Sequence, residues 1–440
     1  MKGAIFTYLL AYGGAAVSLF NPFVGLLIYV SFAVLKPETL WSWALPGGGN
    51  FSRIVAIALL VGWAFKGFGR WSFGRARGIV FAFLGLWLWS VVSASLAPNQ
   101  EVAWNFVEGM AKILLPFLAG ITLIDTAQKL KALTWALVLS QGYLALEFNS
   151  SYYQGFNLVH ELGFFGDNNT VAIAMVTGTG LAFFLAIGAD RWWQKALALL
   201  ASLLTMHVVF FSFSRGGMLA LGVLGLTAFL ILPKRPTHFL VFTAAVLLAL
   251  RLAGPEVRER FSTAFVSEGE RDFSAQSRVE LWGACWDLML RHPLLGVGPD
   301  HFPLVVHEYG WNAGKEAHSL WLQTGAELGF PGLLLLILFY GLCVGRLLPL
   351  ARARLGSRDP WSGHMARMVI ASLAAFAVSV QFVSAEGLEL PYYIAMIGAG
   401  VLKLASARLK DVVSPEGAPT VPPPASLPVT RPLPRIPDSA

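Results

Sequence analysis

Apolar runs of about one membrane thickness, separated by short polar connections, dominate the pattern along the chain. A bilayer core about 30 Å thick is crossed by about 20 apolar residues in helical form. Runs of this kind cover 22–36, 51–66, 78–96, 104–123, 130–147, 169–188, 195–211, 214–232, 238–253, 318–346, 365–384 and 391–407. They predict an all-α polytopic membrane protein, a bundle of about 12 transmembrane helices. A further run, 4–20, stops at Asn21-Pro22 and is either a thirteenth short span or half of a kinked N-terminal hairpin. No small-residue cleavage site precedes Asn21-Pro22, so no cleavable signal peptide is expected.

Two segments depart from the short connections. The loop 254–317 is far longer than the usual helix connection. Within it, Val279, Trp282, Trp286 and Met289 recur at helical spacing, and Gly296, Gly298 and Pro299 signal a turn. This predicts a small structured cap. The tail from 411 carries nine prolines in thirty residues and cannot bury a core, so it is expected to be disordered. The chain therefore divides into N-terminal spans (1–253), the loop domain (254–317), C-terminal spans (318–410) and a Pro-rich tail (411–440).

Composition agrees with the pattern. Of 440 residues, 56% are hydrophobic and 13% charged, about half the charge of a soluble domain. The net charge of +7 does not point to nucleic acid, because the basic residues sit in particular loops. Lys66, Arg70, Arg75 and Arg77, then Lys129 and Lys131, Arg191 and Lys195, Lys234 and Arg235, and Arg346, Arg352, Arg354, Arg358 and Arg367 mark one side. The intervening connections at 37–50, 97–103, 148–168, 212–213, 254–317 and 385–390 are poor in basic residues. The positive-inside bias makes the first set cytoplasmic, so the long loop faces outward and the tail inward. Cys285, in a polar loop, and Cys343, in an apolar run, give no disulfide framework.

Charged groups at membrane depth are expensive and are candidates for function. Arg215 follows Phe213-Ser214 and precedes Gly216-Gly217 at the outer end of two spans. Its five-donor fork suits phosphate or carboxylate, and the glycines let a ligand approach; snorkelling to the interface is the alternative. His318 opens the span after the loop and can exchange a proton near neutral pH, or simply bond to the loop. Glu327, nine positions on, falls on the opposite helix face and is expected to satisfy a neighbouring helix. Arg278, at the start of the loop helix, stands against the helix dipole and needs an anionic partner, whereas Arg291 at its end does not. Glu108 and Lys112 form an internal i,i+4 pair, and His207 reads as a satisfied core histidine. His292, His301 and His307, with Asp300 and Glu308, match no zinc spacing, so no metal site is expected.

Together these pieces resemble the O-antigen ligase family of bacterial membrane proteins, which also includes related polymerases. The matching elements are Phe213-Ser214-Arg215-Gly216-Gly217, the stretch Arg278-Val279-Glu280-Leu281-Trp282-Gly283-Ala284-Cys285-Trp286, the run from His292-Pro293-Leu294-Leu295-Gly296 to Phe302, and Ala317-His318-Ser319-Leu320 through Gly329-Phe330-Pro331-Gly332. Phe165-Gly166-Asp167-Asn168-Asn169 and Asn21-Pro22-Phe23-Val24-Gly25 look like the O-glycosylation ligase branch associated with exosortase systems. The resemblance covers about 169–340. It implies a GT-C-type helical bundle in the bacterial inner membrane, with transfer of a glycan from undecaprenyl diphosphate to a lipid or protein acceptor on the periplasmic face. It implies no cofactor and no metal. Arg215 and Arg278 match arginines held to engage the diphosphate, and His318 matches the histidine assigned to the acceptor hydroxyl. Asp167, Asn168, Asp300 and Glu327 are expected in support. A polymerase using the same donor is the nearest alternative. A small-anion transporter is a second, since some relatives carry bicarbonate-transporter labels, but its polar residues would gather at the midplane of several spans.

Overall fold

A computed structural model describes residues 2–45, 49–161, 166–232, 273–352 and 360–413, with isolated positions between 236 and 247. Among the described residues all regular structure is helical. The principal helices are α1 (Gly3–Phe20, with a π-helical turn at Leu9–Gly13), α2 (Pro22–Leu35), α3 (Phe51–Phe65), α4 (Arg77–Ser95), α5 (Gln100–Leu123), α6 (Ala127–Tyr153), α7 (Asn168–Gly188), α8 (Trp192–Phe211), α9 (Arg215–Ile231), α10 (Phe273–Arg291), α11 (Leu320–Arg352), α12 (Pro360–Ser379) and α13 (Leu390–Val413).

Eight described helices are long and apolar enough to cross a membrane: α1, α4, α5, α7, α8, α11, α12 and α13. The shorter helices α2, α3 and α9 are equally apolar. Helix α6 occupies the expected span 130–147 but does not join the eight, because polar residues interrupt it. Its Gln141 packs against Gly178, and the Asn149 amide donates to the carbonyls of Ala145 and Leu204 while accepting from His207 at 2.5 Å. His207 is thus a satisfied core histidine. The expected span 238–253 lies largely outside the described residues, as does the tail beyond Val413.

Both parts of the N-terminal alternative are seen: residues 3–20 form a helix long enough to span, and that helix is one arm of a hairpin. Asn21 ends α1, and its side chain caps α2 by accepting the N–H of Val24, with Pro22 at the first helical position. Gly14 lies against Ile28 and Gly25 against Ser18, contacts that run in opposite directions along the chain. Helices α1 and α2 therefore form an antiparallel hairpin around Asn21-Pro22.

Helices α7 and α13 are buried on nearly every side, as their all-round apolar sequences require. An aromatic cluster ties the bundle together: Phe83 of α4 packs on Phe117 of α5, Phe339 of α11 and Tyr392 of α13 at centroid distances of 5.2, 4.8 and 5.1 Å.

The two sets of connections collect at opposite ends of this bundle. At the basic end, Arg346 donates to the carbonyl of Arg75, the Arg75 N–H donates to Ser406, and Lys403 donates to the carbonyl of Ile121 at 2.6 Å. At the other end sits the cap, with a small core of its own built from Leu281, Ala284, Cys285 and Leu288 of α10 with Phe302 and Val306. Tyr309 and Arg291 both bind Asp287 on its outside, at 2.5 Å each.

Three readings of the sequence change here. Cys285 is buried in the cap core rather than in a polar loop. The buried face of α10 is Leu281, Ala284, Cys285 and Leu288, while Val279 and Trp286 of the expected stripe are half exposed. Arg278 lies in the second turn of α10, not at its start, so the expected conflict with the helix dipole is weakened.

Candidate functional site

The span expected at 318–346 begins two residues later and is broken. Gly329 has φ 67° and ψ −174°, a conformation open to glycine alone. Pro331 has no N–H, so the carbonyl of Glu327 lacks its helical donor. The turn Gly296–Asp300 fills the gap. Gly298 donates to the carbonyl of Glu327 at 3.1 Å, Val297 to that of Ala326 at 2.9 Å, and Phe330 turns its own N–H to Pro293 at 2.9 Å. The Glu327 carboxylate completes the clamp, accepting the N–H groups of Asp300 (3.0 Å) and Phe302 (3.1 Å) and the Gln323 amide (3.2 Å). Its partners are therefore the loop backbone and its own helix, not a neighbouring helix. Gly296 can lie here because it has no side chain: a Cβ would stand 2.2 Å from the backbone of Glu327.

His318 precedes this broken helix in left-handed backbone, φ 52°. Opposition of helix faces is thus not what separates it from Glu327; the two lie on different structures. Among the described residues, six that are not glycine have positive φ, and five of them (Lys36, Asn50, Phe213, Asp300 and His318) stand at this end of the bundle. Such backbone is costly and tends to collect where function demands a fixed geometry.

His318 lines a cavity of about 520 Å³ together with Lys36, Asp167, Lys315, Glu316 and Ser384. Sequence reasoning singled out His318 and Asp167 from this group. It missed Lys36, which arrives from the end of α2 in a left-handed cap, and Ser384 from the α12–α13 connection. A short polar connection rich in neither glycine nor histidine carries no signal for either. Glu316 and Lys315 were visible only as loop charges.

The 167–170 and 212–215 segments are laced together beside this cavity. Asp167 caps α7, accepting the Thr170 N–H at 2.8 Å. The Asn168 amide donates to the carbonyl of Ser212, and Ser214 donates to Asn169, each at 2.8 Å. Ser214 also caps α9 by accepting from Gly217 at 3.1 Å, which makes Arg215 the first residue of that helix. Phe382 packs on Gly216 and on Trp282 of α10, with centroids 6.3 Å apart in the second case. The Arg215 turn and the Arg278 helix thereby share one neighbour. Arg278 is near enough to His318 for its charge to be felt there.

Burial first, then the charges of Arg278 and Lys315, push the His318 imidazole down to about 4. It is neutral at physiological pH, with one ring nitrogen free of a proton. Glu316 is raised by burial and by the charges of Asp167 and Asp300. Deeper in, Glu386 is raised to about 8 by burial and by Asp300 and Glu316.

Two of the remaining loop histidines bond to nearby backbone. His301 accepts the Asn99 N–H on Nε2 at 3.0 Å and so donates from Nδ1 to the carbonyl of Pro299 at 2.7 Å. His307 bonds to the carbonyl of Leu304, and His292 borders a separate cavity of about 510 Å³ at the end of α4. Glu108 and Lys112 form the expected exposed pair at 2.9 Å.

Residues 196–337 match the family model described as O-Antigen ligase, and residues 1–149 match a family of unknown function, DUF5935. No curated protein matches the chain. The cavity joins the two matched regions, since Lys36 comes from the first and His318 from the second.

Proposed function

We propose that this chain, whose residues 196–337 match the family model described as O-Antigen ligase, acts as a member of that family and transfers a glycan from undecaprenyl diphosphate to a lipid or protein acceptor on the periplasmic face of the inner membrane. The observation that carries this reading is the cavity at the end of the bundle opposite the basic loops, where neutral His318 meets Lys36 and Lys315 beside the Arg215 turn. The positive-inside bias supports a periplasmic position for that end.

The chemistry fits these groups. Attack of an acceptor hydroxyl on the anomeric carbon breaks the bond to the diphosphate, which leaves with extra negative charge. Fixed cations stabilise that charge in proportion to how well they are held beforehand. The roles assigned are diphosphate binding for Arg215 and Arg278, with Lys36 and Lys315 adding charge within the cavity. His318, held unprotonated, receives the hydroxyl proton, an effect typically worth 10²–10⁴-fold. Asp167 and Asn168 fix the turn that presents Arg215, and Glu327 and Asp300 fix the turn that anchors the cap to α11. A polyprenyl tail remains in lipid, so such a site belongs at a bilayer face, where these residues gather. Transport of a small anion would instead call for polar groups at the midplane of several spans.

Conversion of purified undecaprenyl-diphosphate glycan by the protein in detergent tests the reading. Arg215→Lys keeps the charge but loses the planar fork. Its rate should fall about ten- to a hundredfold, the worth of one charge-assisted bond of about 1.5–3 kcal/mol. His318→Ala should abolish turnover and leave the lipid-linked donor bound and unconverted. Full turnover by both variants would sink the assignment.

A further inference from the structure

Helix α10 has three faces rather than two. Leu281, Ala284, Cys285 and Leu288 bury themselves in the cap core, and Gln276, Glu280, Asp287 and Arg291 form a polar stripe. Between them, Val279, Gly283, Trp286 and Leu290 recur at spacings of four, three and four, within about 60° of one another at 100° per residue. Val279, Trp286 and Leu290 each keep half or more of their surface exposed. An apolar stripe left open on a helix that borders a membrane marks a contact surface.

The course of the helix identifies what it touches. Trp282 lies against Phe382, in the connection between α12 and α13. One turn on, Trp286 meets Phe330 edge-on, centroids 6.3 Å apart and planes at 88°. Leu288 and Arg291 then share a cavity with Ser93 and Pro98 at the end of α4. A helix that touches the ends of three different spans in succession runs along the face of the bundle, not into it. Phe330 in turn begins the exposed row Phe330, Leu334 and Ile337 on α11, the side of a candidate membrane span that has lipid as its only solvent. The open stripe of α10 is therefore continuous, through Trp286 and Phe330, with a lipid-facing surface.

We propose that α10 lies in the plane of the membrane interface, with Val279, Trp286 and Leu290 embedded among the lipid acyl chains and the Glu280–Asp287–Arg291 stripe in water. The occupant of the stripe is the bilayer. One consequence is that the lipid fixes the depth of Arg278, carried on the same helix. The proposal holds whatever reaction the cavity performs.

The test uses the full chain, reconstituted in phosphatidylcholine–phosphatidylglycerol vesicles, with a nitroxide on Val279→Cys, Trp286→Cys, Leu290→Cys or, as a control, Glu280→Cys. Both native thiols are buried, and wild-type protein gives their background labelling. Oxygen, which concentrates in lipid, should relax the first three labels severalfold more than a water-soluble nickel chelate does, and the control should show the reverse order. If Trp286→Cys fails to fold, Val279→Cys and Leu290→Cys carry the test. Nickel access at all four positions would overturn the proposal, and so would immobilised labels that neither reagent reaches, since protein would then cover the stripe.

Discussion

The carbonyl of Glu327 accepts the N–H of Gly298 at 3.1 Å, where an unbroken helix would have supplied the N–H of residue 331. Proline at 331 removes the native donor, glycine at 329 turns the chain aside, and the loop takes the vacated acceptor. One defect in a membrane helix thus becomes the anchorage of the cap above it.

That anchorage sets the first prediction. Gly296→Ala must hold a side chain at φ 66° and drive it into the backbone of Glu327. It should cost at least about 2 kcal/mol, seen as a lowered melting temperature in detergent with a parallel loss of transfer. Gly283→Ala is the control. A Cβ there meets nothing within 4 Å, and the helix should gain about 0.5–1 kcal/mol.

Glu327→Gln should act on stability and not on proton transfer. The carboxylate accepts three donors, and an amide would turn an N–H against one of them. A loss of about 1–3 kcal/mol in thermal or denaturant unfolding is expected, with turnover per folded molecule less affected than in His318→Ala. Equal loss of turnover in the two variants would assign Glu327 to the chemistry.

The acid limb of the activity profile should report His318. Its depressed value, about 4, keeps it unprotonated across the neutral range, so activity should persist well below pH 6.5 before protonation removes the acceptor nitrogen. Lys315→Gln deletes one of the charges that disfavour the imidazolium, so the limb should move to higher pH. Burial, the larger cause, remains, and the shift should stop short of 6.5. A limb that stays in place would dissociate it from His318.

Much of this arrangement is legible in the sequence. Apolar runs gave nearly every helix, because a bilayer demands both length and hydropathy of each span, and the spacing of lysines and arginines sorted the connections onto two ends. His318, Asp167 and the Arg215 turn stood out as polar groups where apolar ones were expected. What stayed hidden depends on neighbours distant in sequence. Lys36 reads as a loop lysine until α2 delivers it to the cavity. Glu327 reads as one charge on one helix face until Gly329 and Pro331 break that helix. Both faces of α10 are apolar, and periodicity alone could not say which of them meets protein.

Glu386 offers a test of the electrostatics apart from turnover. Its carboxyl is raised to about 8, so the folded chain holds a proton that the unfolded chain has released above its ordinary value near 4.5. Stability therefore falls as pH rises through that window and levels off above about 8. Glu386→Gln removes this dependence. Its melting temperature relative to the parent should climb between pH 5 and pH 8, then hold steady. A constant difference across that range would place the ionisation of Glu386 elsewhere.

The cavity takes its lining from residue 36 near one end of the chain and from residues 384–388 near the other. During synthesis, therefore, no partial set of inserted helices possesses it. The α12–α13 connection must be in place before Ser384 and Lys36 can face each other, and until then His318 stands beside an open seam. A chain stopped before residue 384 would lack part of this lining, so the cavity is completed only when segments far apart in sequence are both in place.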